Sequence, residues 1–190
     1  NTGSIEVPNE KAFEIPVPAG SKIRVVGLRK GQVVTDHLIL EPSVSGGMAA
    51  AAPARDICRL AVLEKNKGTG RLAVGFVHGL GLREGALGSS VAHDAHNFVA
   101  AGADISSLRK ALAFLAAEGG GIVAAKGDRV LASLALPVGG LMNPASADSV
   151  IAGLEEVEKA AATLGTELEH PFMAMSFLSL SVIPELKLTD

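Results

Sequence analysis

Tryptophan and tyrosine do not occur in this sequence of 190 residues, and six phenylalanines are its whole aromatic complement. Proteins that hold single-stranded nucleic acid stack successive bases on aromatic rings, so that class of partner is not expected. A single cysteine, Cys58, excludes an intramolecular disulfide framework and a CxxC metal site. It lies in Ile57-Cys58-Arg59-Leu60-Ala61-Val62, where it reads as a small hydrophobe in a strand, and a reducing cytoplasm is the expected setting. Long runs of one charge are missing too. Seventeen basic residues against 20 acidic ones leave a net charge of −3, with neither the basic footprint of a duplex-binding protein nor a polybasic membrane anchor. The longest strongly apolar run, Pro171 to Pro184, has 14 residues and is too short to span a bilayer. The first residues show no basic and apolar regions of a signal peptide, so a soluble protein is expected.

What is present suffices for a core. Apolar residues make up 48% and charged residues 19%, the balance of a compact chain forming one domain, or one domain with a small appendage. Residues 1 to about 20 are rich in proline and acidic groups and read as an extended lead-in. Ile23–Leu28 and Gln32–Leu40 are β-branched runs around Arg29-Lys30-Gly31 and predict a hairpin, with His37 on the surface or edge of its second strand. The Gly/Ala/Ser/Pro tract Ser43–Ala54 predicts a loop and a boundary. Residues 1–54 are thus expected to hold the lead-in and a hairpin of a separate β unit, and residues 55–190 the main domain.

Within that domain, Asp56–Glu64 and Arg71–His78 predict a second hairpin. The glycines at 79, 81, 85 and 88 invite comparison with a dinucleotide loop, but Glu84 stands where the third glycine is needed and no P-loop ending follows. Asp104 can cap a helix whose Ile105, Leu108, Leu112 and Leu115 form one stripe and which Gly119-Gly120-Gly121 stops. A second helix begins near Asn143–Ser146, carries Val150, Leu154, Val157, Ala161 and Leu164 on one face, and ends at Gly165. Glu155 and Lys159 pair on its wet side, and Glu156 and Glu158 read as solvated charge. Between the helices, residues 122–125 and 130–134 predict strand, tight turn and strand. Phe172, Met173, Met175 and Phe177 read as core. The predicted architecture is α+β: an antiparallel sheet built from hairpins, with two amphipathic helices covering one face and a small N-terminal β segment.

The chemistry is concentrated in Gly88–Gly102. Ser89, Ser90, His93, Asp94, His96 and Asn97 fall within nine residues, flanked by small apolar ones. Strand, turn at His93–Asn97, then strand is the predicted form; fully extended, Asp94 and His96 would share one face, whereas a turn would let all four polar residues converge. Two imidazoles and a carboxylate, His93, Asp94 and His96, are donors a divalent metal could use, though such sites draw a further ligand from elsewhere. A Ser-His-Asp hydrolase is disfavoured, because triad members come together through the fold and no GxSxG elbow is present. The reading favoured here is that these groups hydrogen-bond a small polar substrate or hold a neighbouring domain's catalytic groups.

Several stretches carry a family resemblance: Gly75-Phe76-Val77-His78-Gly79-Leu80-Gly81-Leu82, Ser89-Ser90-Val91-Ala92-His93-Asp94-Ala95-His96-Asn97, Gly119–Val123, Leu136-Pro137-Val138-Gly139-Gly140-Leu141-Met142, and Pro171–Met173 through Pro184–Asp190. Together they resemble the C-terminal region of bacterial and archaeal adenine deaminases of the amidohydrolase superfamily, over nearly the whole chain. The family's pattern usually has serine where this chain has Ala95, and relatives continue past Asp190, so a piece of a longer protein is expected.

The resemblance implies hydrolysis of adenine to hypoxanthine and ammonia in purine salvage, by a hydroxide activated on manganese or iron in a (β/α)₈ barrel. The barrel's HxH pair is missing among His37, His78, His93, His96 and His170, and no PCxxC of the cytidine-type deaminases occurs. Catalytic and metal-binding residues are therefore expected outside this chain, which alone should not deaminate adenine. The expected partners are the barrel domain of the same enzyme, adenine as substrate and further copies in a homo-oligomer. Ser89, Ser90, His93, Asp94, His96 and Asn97 are expected to support the active site. A stand-alone ligand-binding or oligomerisation module is the alternative.

Overall fold

The computed structural model describes residues 5–189. Its strands are β1 (Ile23–Leu28), β2 (Thr35–Leu40), β3 (Ser43–Ser45), β4 (Met48–Ala50), β5 (Ile57–Leu63), β6 (Leu72–His78), β7 (Ala86–Ser89), β8 (Phe98–Gly102), β9 (Gly121–Lys126) and β10 (Arg129–Ala135). The helices are α1 (Ile105–Glu118), α2 (Ala147–Thr163) and the short α3 (Pro171–Met175). Eight strands form one sheet in the order β10-β9-β7-β8-β5-β6-β1-β2, antiparallel except for β1 beside β6. The α+β class and the hairpins at 57–78 and 121–135 are as the sequence predicts.

Local chemistry sets the helix ends. Asp104 caps α1 by accepting from the Ser107 N–H at 2.7 Å, and Gly119 takes the left-handed conformation that closes it. Ser146 caps α2 through the Ser149 N–H. The Glu155–Lys159 pair sits exposed at 3.6 Å, whereas Glu158, expected to be solvated, is mostly covered and bonds the His170 ring at 3.1 Å.

The helices occupy both faces of the sheet rather than one. Leu108, Ala111, Leu112 and Leu115 of α1 pack on Ala61, Leu63, Ala86, Ala100 and Val123. On the opposite face, Leu60, Val62, Leu87, Val99 and Ala101 meet Val157, Ala161 and Leu164 of α2 and its exit, and Phe172 and Met175 of α3. The physical reason lies in the central strands: apart from Arg59 and Ser89, β5, β7 and β8 are apolar throughout instead of alternating, and every one of their residues is buried. Such strands need cover on two sides.

Three further expectations change. The hairpin β1–β2 is continuous with the main sheet, because Val26 and Gly27 pair with Val77 and His78 of β6. Its second strand begins at Thr35, not Gln32: Thr35 exchanges backbone hydrogen bonds with Pro184 and Glu185 of the returning C-terminal segment, which draws residues 32–34 out of the ladder. The tract 43–54 is no plain loop; Gly46 and Gly47, both at positive φ, make the two-residue turn that joins β3 to β4. The lead-in, of which residues 1–4 lie outside the described residues, is docked as well through Phe13. Phe13 is fully buried, and the buried guanidinium of Arg59 donates to the carbonyls of Phe13 at 2.5 Å and Ala49 at 2.6 Å, tying lead-in and small hairpin to β5.

His37 lies exposed on edge strand β2, and Cys58 is buried with its thiol pushed up to about 12 by burial, as a core residue. Phe172 and Met175 are core, but Met173 is largely exposed and Phe177 half-buried. The reason is the brevity of α3: its single turn buries one side and leaves Met173 on the other.

Candidate functional site

Ladder register brings four loops to one edge of the sheet. Leu63 pairs with both Leu72 and Phe98, Ser89 with both Val99 and Ile122, and Ala135 with Gly121. The segments 64–71, 90–97, 119–120 and 136–142 therefore emerge side by side, although they are distant in the chain.

The predicted turn begins where Ser89 ends β7. Its hydroxyl accepts from the Val91 N–H at 3.0 Å and so turns the chain out of the ladder. Ser90 is fully buried and structural: its hydroxyl accepts from the Gly121 N–H at 2.8 Å and donates to the Gly140 carbonyl at 2.5 Å. His96 sits at φ 52, the left-handed region, with its N–H on the Ala92 carbonyl at 2.7 Å. Asn97 points inward, and its Oδ1 accepts from the Lys65 N–H at 3.2 Å.

Convergence is partial. The rings of His93 and His96 meet edge to face, 5.5 Å apart, and His93 also lies 5.2 Å from the Phe177 ring. Asp94 is exposed, and Asn97 is buried beneath the turn. Among the described residues, no group of three His, Cys, Asp or Glu is placed to hold a metal ion. The Nδ1 atom of His96 is buried without a hydrogen-bond partner. Burial, reinforced by the neighbouring His93 and Lys65 charges and opposed by Asp94, holds the His96 imidazole below its ordinary pKa. A neutral imidazole at pH 7 follows, able to accept at one nitrogen and donate at the other.

Sequence reasoning missed the residues that clamp this turn. The Lys65 ammonium, itself lowered in pKa by burial, donates to the Gly139 carbonyl at 2.7 Å and lies 5.9 Å from the Phe98 ring centre. Asn66 donates to the Ala95 carbonyl at 2.6 Å. The hairpin loop carrying both is held by Glu64, which is buried and accepts from the Thr69 N–H and hydroxyl, each at 2.9 Å, and from the Lys67 N–H. Burial pushes the Glu64 carboxyl up, but these hydrogen bonds together outweigh it and leave it lowered. From below, the His93 N–H reaches the Ser176 carbonyl at 2.9 Å. No local sequence signal marked them: the register of β5 against β8, set only in the fold, puts Lys65 and Asn66 beside Asn97.

Fold and site define a loop-bearing α+β domain: a sheet covered on both faces, with its polar groups gathered on the loops of one edge rather than in an enclosed cleft. Comparison with known families names it further. The family model described as adenine deaminase C-terminal domain matches residues 32–190, and the chain belongs to that family. It is 46% identical to the adenine deaminase of Oleidesulfovibrio alaskensis over all of its length and 34% of that protein. It is 42% identical to adenine deaminase 2 of Carboxydothermus hydrogenoformans over all of its length and 33% of that protein, and 40% identical to the adenine deaminase of Methanothrix thermoacetophila over 95% of its length and 31% of that protein. The chain spans about a third of the length of the curated relatives it matches.

Proposed function

We propose that this chain is the C-terminal domain of an enzyme that hydrolyses adenine to hypoxanthine and ammonia, and that its 90–97 turn lies at the mouth of an active site built by the rest of that enzyme. In the reaction the oxygen of water bonds to C6 of the purine and the C6–N6 bond breaks; one proton of water leaves with the amine as ammonia and the other stays on the ring of hypoxanthine. The divalent manganese or iron that the resemblance implies belongs, in this reading, to a barrel outside residues 1–190. The residues here do not fit it: His93 and His96 face each other's rings, Asp94 points to solvent, and no third donor joins them among the described residues. No step of the reaction is assigned to a metal in this domain.

One observation carries the proposal. Lys65, Asn66, Ser90 and Asn97 all hold the turn's backbone and its neighbouring loops, while no side-chain hydrogen bond among the described residues ties down His93, Asp94 or His96. A turn fixed by one set of polar groups and presenting another is pre-organised for contact with something outside the domain. Positioned proton donors and acceptors at a reacting heterocycle contribute about 10²-fold or more. His96→Ala and His93→Ala in the full-length enzyme should therefore lower kcat/KM for adenine by about 10²-fold, with the melting temperature little changed. A lower melting temperature with normal turnover would instead assign the turn to stability alone and end the proposal.

A further inference from the structure

We infer that the turn Val138–Met142 is a docking surface for the part of the full-length polypeptide that lies outside residues 1–190. The inference rests on the proposed reading of this chain as one domain of a longer enzyme, and it identifies the face on which the domain is covered.

The turn is rigid by construction. Val138 and Met142 exchange backbone hydrogen bonds at 3.1 and 3.2 Å, and the Leu141 N–H also returns to Val138 at 3.1 Å. Its two central residues, Gly139 and Gly140, have φ 66 and 76, which side-chain-bearing residues rarely adopt. Their carbonyls are the groups held by Lys65 and Ser90. Gly140 packs so closely on Gly120 that a Cβ at 120 would lie 2.4 Å from the Gly140 Cα. The backbone side of the turn is thus nailed to the domain.

Its side chains face away. Val138 is 46% exposed, Leu141 39% and Met142 62%, and none of them joins any of the domain's three hydrophobic clusters. Scattered exposed hydrophobes need no explanation, but three within five residues on a pinned turn form a patch that loses little entropy when covered. The matched relatives carry about two-thirds of their length outside the aligned region, which supplies an occupant of sufficient size. Lys65 also ties this turn to the 90–97 turn, holding Gly139 through its ammonium and Asn97 through its backbone N–H. Lys65, whose ammonium reaches this turn, is already engaged by the Gly139 carbonyl, so the matching surface is taken as apolar rather than acidic.

Photo-cross-linking of the full-length protein tests this. Benzoylphenylalanine placed at position 142, and separately at 138, should give cross-linked peptides from outside residues 1–190, while the same probe at Val44, 56% exposed on the small sheet, should not. Cross-links from positions 142 and 138 that return peptides of residues 1–190 would mean a second copy covers the turn, and no cross-link from either would mean nothing does; each result overturns the inference. Kinetics of His96→Ala separate it from the proposed function. A cross-link with unchanged kinetics leaves the surface standing and removes the site reading, and altered kinetics with no cross-link do the reverse.

Discussion

The ammonium of Lys65 and the carbonyl of Gly139, 74 positions apart in sequence, are 2.7 Å apart in the fold, and through this bond the hairpin loop after β5 holds the turn after β10. The backbone N–H of the same lysine holds Asn97, so one residue joins three loops. Lys65→Met keeps the stem and removes the charge. It should cost about 1 kcal/mol, the usual net worth of such a bond, measured by denaturant unfolding. It should also raise the His96 pKa, because the Lys65 charge is among the influences that depress it.

Two histidines are expected to titrate on opposite sides of the ordinary value. His96 is lowered by burial and by its cationic neighbours, so its neutral form is favoured by folding. Its contribution to stability is present above an unfolded pKa of about 6.5 and is lost as pH falls from there through the folded value. His170 is raised, first by its hydrogen bond to Glu158, so its contribution is present below the unfolded pKa and is lost as pH rises through the folded value. Proton NMR titration of the imidazole C2–H signals reads both. Glu158→Gln should bring His170 back toward its ordinary value and leave His96 where it was.

Neighbouring glycines should differ sharply in tolerance. At Gly119 a Cβ meets open space, so alanine faces only the left-handed backbone, a cost of about 1 kcal/mol. At Gly120 the same Cβ would lie 2.4 Å from the Gly140 Cα and 2.7 Å from the Ser90 hydroxyl, with φ at 138. Gly120→Ala should therefore cost about 3 kcal/mol or more, seen as a lower urea midpoint with an unchanged m-value.

Arg59 is buried with no ion pair to a carboxylate among the described residues, and its pKa is lowered chiefly by that burial, opposed by the Glu14 charge. Arg59→Ala would leave the Phe13 and Ala49 carbonyls without their donor and open a gap beside the Phe76 ring, 5.1 Å from the guanidinium. A loss of about 3 kcal/mol is expected, with faster amide exchange around Phe13 and in β4 as the local signature.

If the proposed function holds, the 190-residue chain by itself should release no ammonia from adenine under conditions where the full-length protein does. A coupled ammonia assay checks this, and steady turnover by the isolated chain would place a complete catalytic centre within these residues.

Much of the fold was legible in the sequence because its cues are local. Asp104 and Gly119 bound α1, Ser146 begins α2, and the apolar runs 57–63 and 72–78 around a glycine-rich loop give a hairpin. The polar residues of the 88–102 stretch stood out for the same reason: they interrupt small apolar neighbours.

What the sequence could not reveal depends on contacts between segments far apart. That β5, β7 and β8 are buried on both faces, and so take helices on both, becomes visible only once β5 lies beside β8 and β7 beside β9. That His93 meets Phe177, that Lys65 reaches Gly139, and that Asn97 turns inward while Asp94 turns out, follow from ladder register and from the returning C-terminal segment. The sequence alone determined which residues carry polar chemistry and where α1 and α2 start and stop, since capping and periodicity act within a few residues. Tertiary structure decided which of those polar groups hold the loops and which remain free to meet a neighbour, because hydrogen-bond geometry is fixed only when distant strands are brought into register.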